Sequence, residues 1–452
     1  MDEDSSSFDS ERKRAVLRQL LQTRAGDNRG TGAEGQPVRR GSSVGRLEEA
    51  PEVVEFFARM DHLTSLGMVD PCFRAVEGPA AGTVNIGGRT LINFSSYNYL
   101  GLAGDPRVKR AAQDAIERFG TSASASRLAS GERPLHRELE QALAAFLGVE
   151  DAMVFTAGYA TNVAVLGHIL GARDLVIHDE FAHNSILLGC QMSRAKRLSF
   201  SHNDLAALDD LLRRNRADAD KALIVVEGAY SMDGDYPNLP RLISMARQHN
   251  ASIFVDEAHS LGVMGRTGRG VGEHFAVERE AVDLWMGTLS KSLASVGGYV
   301  AGSRRLIHYL KYTVPGFVFS AGMPPANAAA ALTALRLIEQ EPWRVARLMD
   351  NTRLFLAEAR AAGLDTGLSR DTAVVPVIVR NSVLCLRLAA ALFEEGINVF
   401  PMIYPAEAED QARLRFFISA EHTTEHLREA VGTVARLLRA GGPSGDHVGV
   451  IS

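Results

Sequence analysis

From about residue 91 the chain alternates short, β-rich apolar runs with stretches of helical periodicity. The runs LINFS, MVFTA, LVIHD, RLSF, LIVVEGAY, SIFVDEA, LWMGT and YVAGS predict strands. Helical spacing predicts Pro134–Leu147, 204–214 and Leu239–Gln248 between them. Uncharged runs such as LIVV and SIFV suit strands covered on both faces, as in a parallel or mixed α/β sheet. After about Ser320 the rhythm changes. Helices over 325–341 and 343–362 come first, then VVPVIV, a helix over 383–395, INVFPMI, RLRFFISA and a last helix over 424–440. That order is α+β and predicts a second, smaller domain. The expected organisation is a lead-in over 51–94, with a helix and a hairpin at Gly87–Gly88, then a large α/β domain over 95–325. A C-terminal domain over 326–440 and a flexible tail over 441–452 complete it.

The first fifty residues break the pattern. They open MDEDSSSFDS, with acids where a signal peptide needs basic residues and an apolar stretch. Between Ala25 and Gly45 stand six glycines and almost no large apolar side chain, too little to offset the entropy of ordering. Residues 1–50 are therefore expected to be mostly disordered. Val16, Leu17, Leu20 and Leu21 share one face of a short helix over 10–23, which reads either as a frayed extension or as a docking helix on a tether. The uncharged stretch over 152–172 starts as a strand and turns helical after Gly158, so strand, turn and buried helix explain it better than a membrane span. No membrane span is expected. The 452 residues are 46% hydrophobic and 23% charged, as in an ordinary globular chain. A net charge of −5 does not favour nucleic acid as a partner. Cys72, Cys190 and Cys385 stand far apart, form no disulfide framework and suit a reducing, cytoplasmic setting.

Four pieces at the ends of predicted strands carry candidate chemistry, where α/β sheets place ligands. Thr156-Ala157-Gly158-Tyr159 puts small residues at a helix start, a phosphate cradle or a plain tight turn. Asp256 closes the apolar run SIFVD and His259 follows three residues later. A carboxylate there wants a cationic partner, although a helix cap would also place it, and no third ligand suggests a metal. Lys291, in GTLSKSLASVGG, sits among small residues such as Thr288, Ser290 and Gly297, unlike a solvated lysine. Desolvation lowers a lysine's pKa and suits a Schiff-base nucleophile. Arg413 and Arg415 share one face of a strand, suited to bidentate capture of a carboxylate or to solvent. Cradle, aspartate, lysine and arginine in this order meet the needs of a pyridoxal 5'-phosphate enzyme.

The set resembles the α-oxoamine synthase family of fold-type I pyridoxal-phosphate enzymes over about residues 55–440. The likeness rests on NFSSYNYLGL (93–102), GTSASASRLASGERPLHRELE (120–140), TAGY (156–159), EGAYSMDGD (227–235), VDEAHSLGVMGRTGRG (255–270), GTLSKS (287–292), FSAGMPP (319–325) and ARLRFFISAEHT (412–423). The resemblance implies an aminotransferase-like fold with a mixed, mainly parallel seven-stranded sheet. It implies that Lys291 holds the cofactor, His136 stacks on its ring, Asp256 pairs with the ring nitrogen, and His259 with Ser231 serves the phenolic oxygen. Gly158, Tyr159, Thr288 and Ser290 would hold the phosphate, with Ser320 reaching it from a neighbouring subunit of a homodimer. Arg415, and less well Arg413, would bind the substrate carboxylate near Asn98; His183 matches a family position without a role. The implied reaction joins an amino acid to an acyl thioester with loss of CO2, giving an α-amino ketone. An aminotransferase or aldolase on the same scaffold is the alternative. SASASRLASGE, where many relatives are richer in glycine, resembles the serine palmitoyltransferase-like and polyketide-associated branch, so an acyl carrier protein joins coenzyme A as a candidate acyl donor.

Overall fold

A computed structural model describes residues 45–65, 70–404 and 406–441. The expectations for residues 1–44, the helix over 10–23 and the tail beyond 441 lie outside the described residues. Two compact units divide the chain, Met1–His62 and Leu63–Ser452. Of the first, a turn at Leu47–Glu49 and most of the helix Pro51–Ser65 are described. No helix among the described residues is long and apolar enough to cross a membrane.

The second unit is built on a seven-stranded sheet. Its strands are β3 (Asp151–Phe155), β4 (Leu175–Asp179), β5 (Lys196–Phe200), β6 (Ala222–Glu227), β7 (Ser252–Asp256), β8 (Leu284–Thr288) and β9 (Gly298–Gly302), in spatial order β3-β9-β8-β7-β6-β4-β5. Pairings from β8 through β5 are all parallel, and only β9 runs against its neighbours. The sheet is thus mixed and mainly parallel, as expected. Alternate residues of β7 feed opposite layers: Ile253 and Val255 join one apolar cluster, Phe254 another. Burial on both faces is what the uncharged strand runs require.

The parallel strands all finish at one edge. Asp179, Glu227, Asp256 and Thr288 end their strands there, and β3 ends there too because Phe155 and Thr288 both pair with Gly298. This edge is where the strand polarity of open α/β sheets puts a site.

Two small sheets complete the unit. In one, β1 (Thr83–Ile86) and β2 (Arg89–Asn93) form a hairpin, joined in parallel by β11 (Ile397–Asn398). Gly87 and Gly88 both adopt positive φ, the requirement of a two-residue turn that matches strand twist. In the other, β13 (Arg413–Phe417) lies between β10 (Val374–Ile378) and β12 (Phe400–Met402), all antiparallel. Phe94, Phe355 and Phe416 pack together behind β13, so a single apolar core continues from the large sheet into this region.

Candidate active site

A cavity of about 720 Å³ opens at the carboxyl edge of the large sheet. Gly158, Asp256, His259, Lys291 and Arg415, read from separate stretches of sequence, all line it. Tyr159, Ser231, Thr288 and Ser290 line it as well.

Lys291 lies just beyond β8, its ammonium 5.6 Å from the centre of the Tyr97 ring. Burial lowers its pKa to about 8, against the opposing pull of Asp256 and Glu227. At pH 8 about half of such amines are neutral and nucleophilic, which an ordinary lysine is not. Asp256 is buried, and its carboxylate accepts from the Asn162 amide at 2.7 Å and from the Ala258 N–H at 2.9 Å. No salt bridge reaches it among the described residues. A buried carboxylate held only by neutral donors is complementary to a cation in the cavity.

Asn162 divides its two amide protons. One goes to Asp256 and the other to the Ser185 hydroxyl at 2.9 Å. Ser185 in turn stands 2.7 Å from Nδ1 of His183, which also accepts from the Ser185 N–H at 3.3 Å. Nδ1 is therefore the acceptor, and Nε2 of His183 carries the proton. The chain Asp256–Asn162–Ser185–His183 ties the carboxylate to an aromatic ring in the same cavity.

His259 is held by a second hydroxyl. Tyr99, fully buried, places its OH 2.7 Å from His259 Nδ1. Burial raises the Tyr99 pKa, so the phenol keeps its proton, and Nδ1 is the acceptor within reach. Burial and then the charges of Lys291 and Arg415 push the His259 pKa well down, so the ring is neutral. Its remaining proton must sit on Nε2, a ready donor for an oxygen anion. Tyr99→Phe is expected to cost about 1–3 kcal/mol by leaving Nδ1 unpaired. Nitrogen-15 shifts of His259 in the cofactor-free protein should then change from one tautomer to a mixture; an unchanged single tautomer would refute the Tyr99 role.

The helix Gly158–Ile169 starts at the cavity with no side chain capping its first turn. Its leading N–H groups are thus available to an anion. A Cβ on Gly158 would come within 2.7 Å of Thr288 Oγ1, so only glycine lets the helix approach β8 this closely. Thr288 itself donates to the Gly297 carbonyl and accepts from the Ser290 N–H.

Arg415 reaches the cavity with its guanidinium over the Phe417 ring at 4.7 Å. Its NH1 donates to the Ser231 carbonyl at 3.1 Å, and its Nε is buried without a partner among the described residues. It makes no salt bridge among the described residues. Arg413, one pleat away on the same strand, is different. It pairs with Asp233 at 2.6 Å and approaches Glu407 at 3.6 Å, and it does not line the cavity. Its charge is already neutralised, so the expectation that it binds a substrate carboxylate is corrected.

The expectation for His136 is also corrected. This ring is wholly buried away from the cavity, at the third position of the helix Pro134–Leu147. Nδ1 accepts from the Arg133 N–H and Nε2 donates to the Met323 carbonyl at 2.7 Å. It caps a helix and binds backbone, and its ring does not border the cavity where a ligand ring would lie. His183, four residues beyond the end of β4, occupies the cavity instead. Ser320 stands in a separate cleft with Arg127 and Gly322. Asn98 lines an adjoining cavity, its amide bonded to the Ala80 carbonyl and the Ala103 N–H. Glu227, beside Asp256 in register, was not singled out from sequence. It lines the cavity, accepts from the His183 N–H at 2.6 Å, and burial raises its pKa well above the usual carboxylate range.

The aminotransferase class I and II family model matches residues 89–434. An 8-amino-7-oxononanoate synthase of Symbiobacterium thermophilum is 40% identical over 380 residues, covering 84% of this chain and 96% of its own. A serine palmitoyltransferase of Bacteroides thetaiotaomicron is 38% identical over 372 residues, covering 82% and 94%. Among solved structures, a serine palmitoyltransferase from S. paucimobilis with a bound PLP–myriocin aldimine is similar with a TM-score of 0.84 at 32% identity. That match covers 87% of this chain and 99% of the other. On these matches, spread along both the large sheet and the strand that carries Arg415, the chain belongs to the aminotransferase class I and II family, in its α-oxoamine synthase branch.

Proposed function

We propose that this chain joins an amino acid to an acyl thioester in the cavity at Lys291, releasing CO2 and the free thiol and giving an α-amino ketone. The family is pyridoxal-phosphate-dependent, and the donor set here fits that group. An uncapped helix start suits its phosphate, Asp256 lacks the cation that a protonated ring nitrogen would be, and Nε2 of His259 suits its phenolic oxygen. When bound, the cofactor supplies an electron sink that stabilises negative charge at the amino acid's Cα.

Gly158 and Tyr159 would hold the phosphate through their N–H groups, with Ser290 beside them and Thr288 setting the turn. Ser231 stands beside Arg415, and its carbonyl orients that guanidinium. His183 takes the ring-facing role that the sequence suggested for His136. Ser320 stays a candidate for a neighbouring subunit's site in a homodimer.

Arg415 would receive the amino acid's carboxylate. Its partners are a carbonyl, a thioether and an aromatic face, so the guanidinium charge is left for a ligand. Lys291, about half neutral at pH 8, would take the proton from Cα. The new bond then joins Cα to the acyl carbon, the carbon–sulfur bond breaks with the thiolate leaving, and the carboxylate leaves as CO2; the electron pair it leaves at Cα takes back the proton held by Lys291. The observation that carries this reading is the meeting of a lysine of lowered pKa, a carboxylate without a cation and an arginine without a carboxylate in one cavity.

The experiment is mass spectrometry of products from an amino-acid panel crossed with acyl-CoA and acyl-carrier-protein donors. Retention of the amino acid's nitrogen with one CO2 per product is expected; nitrogen lost to a keto acid would identify an aminotransferase instead. Arg415→Lys is expected to raise KM for the amino acid by about 10- to 100-fold, through loss of the bidentate fork, and to leave KM for the thioester nearly unchanged.

A further inference from the structure

A second cavity, of about 490 Å³, shares Tyr97, Ser290 and Lys291 with the first. Both spaces therefore border the lysine, and their walls differ in kind. The first holds Glu227, Asp256, Asp233 and Arg415, besides two histidines. The second has no charged side chain other than Lys291 among its described lining residues.

Its polar groups are also largely spent. The Asn93 amide donates to the Ala81 carbonyl and accepts from the Ser95 N–H and the Asn398 amide. Asn98 is bonded at both ends of its amide, and the Ser295 hydroxyl donates to the Asn327 carbonyl. Between these lie Val76, Ala80, Val84, Ala103 and Ala294. Such a wall offers contact surface, its asparagine amides are bonded within the protein, and the free polar groups that remain are mainly the hydroxyls of Ser96, Tyr97 and Ser290. A volume of this size falls in the range of small-molecule sites.

We infer that this second cavity is the acyl chamber and that it selects an uncharged acyl chain. The inference rests on the proposed condensation and goes beyond it by naming the donor class. A terminal carboxylate carried into the chamber would lose its water and meet no cation among the described lining residues other than Lys291, which the reaction itself occupies. The pantetheine arm of a thioester is also uncharged, but its amides need partners that these bonded asparagines no longer supply. An aliphatic chain needs none.

The test compares two isosteric donors, heptanedioyl-CoA and 7-methyloctanoyl-CoA, which differ in a carboxylate against an isopropyl group. With the holoenzyme and a saturating amino acid, kcat/KM is expected to be about 100-fold or more higher for the uncharged donor. Calorimetric titration of each donor into holoenzyme without amino acid should give the same order in Kd, and it needs no turnover. Equal values, or tighter binding of the dicarboxylate, would overturn the inference. Solvent deuterium exchange at the amino acid's Cα, measured without any donor, tests the underlying reaction separately. Exchange with no donor preference sinks the chamber and spares the reaction; a preference in Kd without exchange or product does the reverse. Ala294→Leu, which narrows the chamber, should shift the preferred chain to a shorter one. A uniform rise in KM across chain lengths would assign the space to pantetheine and overturn the proposal. Ser95→Arg should narrow the gap between the two donors by supplying the missing cation.

Discussion

Lys291→Ala is expected to lower turnover by about 10³- to 10⁴-fold and to leave the cofactor bound without a covalent link. The residue does two tasks that no neighbour can assume. It is the amine in the cavity, and it is the base nearest the place where an amino acid held by Arg415 would present its Cα. The other basic side chains are unsuited: His259 and His183 each have Nδ1 tied to a hydroxyl and a proton on Nε2. The loss should therefore not be rescued by raising the pH, whereas a small external amine is expected to restore part of it by diffusing into the vacated space. In the unmodified protein, covalent capture of added pyridoxal 5'-phosphate should accelerate as pH rises through about 8, because burial has brought the ammonium's pKa down to that point. Below it the lysine is protonated and not nucleophilic. Absorbance of the covalently linked cofactor measures both effects. A variant that keeps this absorbance and turns over normally would remove Lys291 from the mechanism.

Much of the architecture was legible because its causes are local. Uncharged β-rich runs spaced by helical periods mark a sheet covered on both faces, and a residue closing such a run falls at the sheet's carboxyl edge. Asp256 and Lys291 were found that way, and Gly158 by the same logic at a helix start. What was not legible depends on pairing between distant segments. Arg413 and Arg415 are equivalent in strand phase; only the approach of Asp233 and Glu407 consumes one and leaves the other. His136 and His183 both stand near helix starts. The available signal was strand polarity: His183 lies just after β4 ends at the site edge, whereas His136 precedes β3 by a whole helix. The Asn162–Ser185 link and the Tyr99–His259 bond join residues 23 and 160 positions apart, and nothing in spacing announces either. Glu227 could have been found, since it closes β6 as Asp256 closes β7, but without its register against Asp256 it read as the end of a buried strand.

Asp256→Asn is expected to lower turnover by about 10²- to 10³-fold, the scale of removing a charge aimed at a developing one. The substitution preserves shape and removes the charge that would hold a ring nitrogen protonated. It also sets an amide against an amide. Asn162 already donates to this position, so a new NH₂ there faces a donor, and rotating Asn162 to accept it gives up the bond to Ser185. Some of the loss could therefore come from the displaced His183 rather than from charge. Asn162→Ala separates the two, because it removes both of these bonds and releases Ser185 and His183 while Asp256 keeps its carboxylate. If charge at Asp256 is what matters, Asn162→Ala stays much faster than Asp256→Asn. If the link to His183 is what matters, the two variants are equally slow. An independent readout comes from Lys291. Asp256 is the largest influence holding that lysine's pKa up against burial, so its removal should move the pH midpoint of covalent cofactor capture below about 8. A midpoint that stays in place or rises would show that Asp256 does not act on Lys291 through space, and the electrostatic account of the cavity would fail with it.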